Sequence, residues 1–148
     1  MSEGVILLAV LPGCGKTTHL CQMCQDGWLV FDDFKASAFD DSSAFRKSRK
    51  CRTLISALRD SLRCAVADID FCNTKSRAEA ESVLMSEVPG VELGWRFFVN
   101  DCSTCEANIR NRNRPSLGTD LKKLHKYSAL YRIPQGAGVL PISRNVQT

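Results

Sequence analysis

Five short apolar runs punctuate the chain, each ending in polar or turn residues: "VILLAV" (5–10), "WLVF" (28–31), "CAVADI" (64–69), "RFFV" (96–99) and "VLPI" (139–142). None alternates cleanly between apolar and polar positions, which is the pattern of strands covered on both faces of a parallel sheet. Helical spacing fills the intervals, over 16–25, 48–62, 74–86, 105–112 and 119–131. Strand–helix alternation of this kind predicts a three-layer α/β domain with a mainly parallel five-stranded sheet and helices on both faces. With 148 residues, no internal repeat and no dividing linker, one domain over 1–148 is expected. In such sheets the ligand collects at the carboxyl ends of the strands. There the sequence places a glycine-rich loop, then "FDDFK", then "ADID", then "NDCS" with an arginine-rich helix beyond.

Composition changes this picture little. A net charge of +4 is a mild bias toward anionic partners. No apolar run approaches the roughly 18–20 residues that span a bilayer, so no membrane partner is expected. The first run follows Glu3 without a basic flank, which argues against a signal peptide and for a cytoplasmic protein with mostly reduced thiols. Two C-x-x-C pairs, Cys21/Cys24 and Cys102/Cys105, invite a zinc reading. They stand much farther apart than the roughly 15–20 residues of a zinc ribbon, so no zinc is expected. Cys21 and Cys24 also fall on the helix after the first loop, where thiols serve as packing residues.

The loop "LPGCGKTT" carries the chemistry. Phosphate-binding loops read G-x-x-x-x-G-K-[ST], and the position of the first glycine is here Val10. That glycine eases the exit from the strand, and Pro12 forces a turn there instead. Gly13 and Gly15 allow successive backbone N–H groups to point at oxygen anions, and the following helix adds its dipole. The cradle comprises Pro12, Gly13, Cys14, Gly15, Lys16, Thr17 and Thr18. Lys16 supplies the charge for the outer phosphates and Thr17 the hydroxyl for a magnesium ion, which makes ATP and Mg2+ the expected cofactors. The guanine-reading N-K-x-D pattern is missing, which leans toward adenine. Cys14 stands inside the loop, where oxidation should block nucleotide binding.

"P-G-C-G-K-T-T" and "F-D-D-F-K", followed by Asp68 in "AVAD", "RNRNR" at 110–114 and "IPQGAGVLPI", resemble in order the motifs of the P-loop kinases related to phage-type polynucleotide 5′-kinase. The resemblance spans roughly residues 4–143 and implies the P-loop NTPase fold with a small arginine-bearing lid, roughly 103–118. It implies that Asp32 is the base accepting a proton from the attacking hydroxyl. It makes Asp68 the group that orders the acceptor or, through water, the magnesium shell, and Arg110 and Arg114 the lid arginines that reach the transferring phosphate. Phosphoryl transfer is mainly positioning and charge neutralisation, and it needs this set of groups. Four residues apart, Arg110 and Arg114 should share a helix face while Arg112 points elsewhere. Asp32 at the end of a buried strand should have its proton affinity raised by partial burial. Where the related kinases place an arginine to grip a neighbouring phosphate, this chain has Lys35, a point charge rather than a bidentate fork.

Other polar residues read more plainly. Asp33 reads equally as a helix cap or a functional group, and Asp70 and Asp101 read as turn residues. His19 and His125 fall on expected helices without evident partners. "RNRNRP" could also be solvated surface. "RKSRKCR" (46–52), with five basic residues in seven, fits either a nucleic-acid track or an exposed helix face. The leading expectation is an ATP-dependent kinase for the 5′-hydroxyl of a nucleic acid. The alternatives are a kinase for a small hydroxyl-bearing substrate (nucleoside, sugar or sugar nucleotide) and a nucleotide-binding module with slow hydrolysis or none.

Overall fold

A computed structural model of the chain describes residues 4–39 and 54–142. The basic segment 46–52 and the first part of the helix expected over 48–62 lie outside the described residues. Five strands form one sheet: β1 (Val5–Ala9), β2 (Leu29–Phe31), β3 (Cys64–Asp68), β4 (Leu93–Phe98) and β5 (Val139–Leu140). Their order is β2-β3-β1-β4-β5, and every pairing is parallel. Between them run α1 (Lys16–Gln25), α2 (Phe34–Phe39), α3 (Leu54–Arg59), α4 (Thr74–Glu87), α5 (Cys102–Arg112) and α6 (Leu117–Leu130). A 3-10 turn (Ile69–Cys72) links β3 to α4.

β1 and β3 are buried at every position, as their unbroken apolar runs require. Neighbouring side chains on a strand point to opposite faces. Phe98 meets His19 of α1 edge-on at 5.6 Å, while Arg77 of α4 lies over the Phe97 ring at 5.2 Å. Helices therefore cover both faces of the sheet. Arg77 is itself buried and donates to the carbonyls of Phe71 and Arg132, which ties α4 to the 3-10 turn and to the chain after α6. The Tyr131 hydroxyl donates to the Phe98 carbonyl and fastens the end of α6 to β4.

β1 is the centre of the sheet, with β3 on one side and β4 on the other. From β1 the chain moves out to β2, and only later crosses to β4. The carboxyl end of β1 is thus the topological switch point, where open parallel sheets bind ligands. Among the described residues no helix is long and apolar enough to cross a membrane.

Candidate active site

The chain leaves β1 through Val10 and Leu11, both buried, and turns at Pro12 with Cys14 N–H donating to the Leu11 carbonyl at 3.1 Å. Gly13 and Gly15 take φ of 81° and 91°, the left-handed region where a Cβ is strained. Gly15 is the N-cap of α1 and contributes no side-chain cap, so the first N–H groups of the helix face the cleft as a phosphate would need.

The second support of the loop comes from α5. A Cβ on Gly13 would lie 2.4 Å from the Cys105 carbonyl oxygen. Asn108, fully buried, donates from Nδ2 to the Gly13 carbonyl at 2.9 Å. Cys105, Asn108 and Ile109 form the buried stripe of α5, at the i, i+3, i+4 spacing of a helix face. Asn108 escaped the sequence reading. Its signal was a polar residue on an otherwise apolar stripe, where burial demands a partner.

Lys16 and Asp32 form an ion pair at 2.7 Å. The Asp32 side chain is 66% exposed, so the burial expected of it is not there. That burial belongs to Asp68, which is 8% exposed at the end of β3. Its oxygens accept from Phe34 N–H at 2.9 Å and Asp70 N–H at 2.8 Å, joining β3 to the start of α2. Burial pushes the Asp68 carboxyl up, these two hydrogen bonds oppose that, and the Asp70 and Asp33 charges add to it. Asp68 and Lys35 line a small hollow of about 90 Å³ between α2 and α4.

The cleft around the glycine loop, about 400 Å³, is lined by that loop with Lys16 and Thr17, by Asp32, and by Arg112, Arg114 and Lys123. Arg110 is not among its walls. It is held instead by Glu106, Nε to Oε2 at 3.2 Å. α5 ends at Arg112, and Asn113 turns left-handed with φ 48°, so Arg110 and Arg114 share no helix face. Arg112 and Arg114, at and just beyond the helix end, line the cleft instead.

Other expectations shift in detail. Cys14 is 1% exposed, and burial pushes its thiol up, so it points into the core away from solvent oxidants. Cys21 and Cys24 are exposed on α1 rather than packed. Asp101 caps α5 by accepting from Thr104 N–H and Oγ1, which holds its carboxyl below the usual range. Asp70 accepts from the Tyr127 hydroxyl at 3.3 Å, a link between the 3-10 turn and α6. His125 does have partners, Glu106 and Cys102. Among the described residues no group of three or more His, Cys, Asp and Glu is placed to hold a metal ion.

A parallel five-stranded sheet, a glycine loop opening a helix at its switch point and helices on both faces define a P-loop NTPase fold. The solved structures agree. A gluconokinase from Sinorhizobium meliloti 1021 matches with a TM-score of 0.54 and 16% identity, over 97% of this chain and 85% of that one. APE1195 matches with a TM-score of 0.52 and 19% identity, over 95% and 85%. No protein-family model and no curated protein matches the chain.

Proposed function

We propose that this protein is an ATP- and Mg2+-dependent kinase that transfers the γ-phosphate to a hydroxyl of a small molecule. The observation that carries the reading is the 2.7 Å pair between Lys16 Nζ and Asp32 Oδ1. It sets a candidate base directly beside the lysine that faces the outer phosphates. When ATP enters, its phosphates compete for Lys16, and Asp32 is released to the acceptor. Asp32 takes the hydroxyl proton as the acceptor oxygen bonds to phosphorus, the bond to the β-phosphate oxygen breaks, and ADP leaves. Thr17 would hold a magnesium ion through its hydroxyl, and that ion would supply charge neutralisation at the phosphates. Each Asp68 oxygen already accepts a backbone hydrogen bond, which suits ordering the metal shell through water, or the acceptor, from a fixed position. Arg112 and Arg114 line the phosphate cleft and are the arginines best placed to neutralise the transferring group.

Two observations favour a small acceptor. The small hollow beside Lys35 and Asp68 suits the hydroxyl-bearing end of a compact acceptor. The gluconokinase that shares the fold is by name a kinase of a small acceptor. A nucleic-acid 5′-hydroxyl is the second reading, and its support is the basic segment 46–52. Asp32→Asn tests the catalytic assignment. Transfer should fall roughly 10²-fold or more, while ATP affinity is retained or strengthened because Lys16 loses its competitor. Parallel loss of ATP binding would show that Asp32 is not the base.

A further inference from the structure

Outside the phosphate cleft, α5 and α6 bring a thiol, an imidazole and a carboxylate into line. Cys102 Sγ lies 3.8 Å from His125 Nδ1, and His125 Nε2 lies 3.3 Å from Glu106 Oε1. The second Glu106 oxygen accepts from Arg110 Nε at 3.2 Å, which fixes the carboxylate from the far side. Cys102 and Glu106 are four residues apart on α5 and share a face, so one histidine from α6 reaches both. A carboxylate beside Nε2 holds the ring proton there and leaves the Nδ1 lone pair facing the sulfur. Nucleophile, base and orienting group thus stand in the order that activates a side-chain nucleophile. Cys102 is also the first residue of α5.

The other described thiols lack this setting. Cys14, Cys64, Cys72 and Cys105 are buried. Cys21 and Cys24 are exposed on α1, and among the described residues neither is hydrogen-bonded to an imidazole. Among the described thiols, Cys102 alone combines partial exposure with a positioned base.

We propose that Cys102, with His125 as its base, is a thiol-modification site that reacts with small disulfides. The Cys102 proton passes to His125 Nδ1, and the thiolate sulfur attacks one sulfur of the disulfide. The disulfide bond breaks as the Cys102–sulfur bond forms, and the departing thiolate takes the proton back from His125. One thiol and one disulfide become one mixed disulfide and one thiol, with no further oxidant.

The intact protein is incubated with oxidised glutathione, quenched with acid, and mapped by peptide fragmentation. Conversion at Cys102 is scored as bound glutathione or, where Cys105 has displaced it, as a Cys102–Cys105 disulfide. Cys102 should react at least about tenfold faster than Cys21 and Cys24, the internal controls. His125→Gln should bring Cys102 down to their rate, with the buried Cys14, Cys64 and Cys72 still unmodified as proof that the fold persists. Glu106→Gln should slow Cys102 in the same direction without touching the ring. A Cys102 rate no higher than that of Cys21 and Cys24, or one unchanged in His125→Gln, overturns the proposal.

Discussion

At the scale of single residues, the two carboxylates expected at the site stand in opposite environments. Asp32 is exposed and paired with Lys16, whereas Asp68 is buried and held by two backbone N–H groups. Their environments suit the different tasks proposed for them: a group that receives a proton near solvent, and a fixed anchor at the strand end. The anchor has a pH signature. Burial raises the Asp68 carboxyl above its unfolded value, so the folded state binds the extra proton between those two values. Its contribution to stability is therefore fully present below the ordinary carboxylate range and is lost as pH rises through the raised value. Urea unfolding across pH should show wild type losing stability relative to Asp68→Asn over that window, then levelling off. The arginines separate in the same way. Arg112→Ala should lower kcat roughly 10²-fold, as for loss of one donor to the transferring group. Arg110→Ala, which breaks only the exposed pair with Glu106, should change kcat far less in the same steady-state assay.

At the scale of elements, α5 is the floor of the phosphate loop. Gly13 has no room for a side chain because the Cys105 carbonyl stands where a Cβ would go, whereas nothing lies within 4 Å of a Cβ on Gly15. Gly13→Ala should therefore cost about 2–4 kcal/mol, from backbone strain plus overlap with another helix. Gly15→Ala carries only the left-handed penalty, about 1–2 kcal/mol. Asn108→Ala leaves the Gly13 carbonyl without its buried donor and should cost about 1–3 kcal/mol. Denaturant unfolding of the three variants checks this ranking. Equal costs for the two glycine changes would mean that α5 does not support the loop. The loop sequence alone hid this dependence, since the supporting residues lie some ninety positions away in the chain.

At the scale of the whole molecule, the sheet and its ligand edge were legible because apolar runs and glycine turns are local signals. The 16–25 helix matches its expected span, since the loop fixes its start and Gly27 follows its end. β4 begins three residues early, because its half-buried first residues, Leu93 to Trp95, break the apolar run that marked the strand. α5 also begins three residues early, where the Asp101 cap and not apolar periodicity sets the first turn. The arginine assignment depended on where α5 stops, and a left-handed Asn113 is weakly marked in sequence. The bond from Asn108 to the glycine loop and the Cys102–His125–Glu106 line between α5 and α6 are tertiary encounters, beyond any local pattern. What the fold frames is a phosphate loop with a carboxylate beside its lysine, the proposed base, and a small hollow beside Asp68, the proposed seat of the acceptor. The most direct measurement offers γ-labelled ATP and magnesium to the purified protein with sugar acids, sugars and nucleosides, and in parallel with 5′-hydroxyl oligonucleotides. Label on a small hydroxyl compound, lost in Lys16→Ala and Asp32→Asn, is the predicted result. Label on the oligonucleotides alone, or label released only as free phosphate, would contradict it.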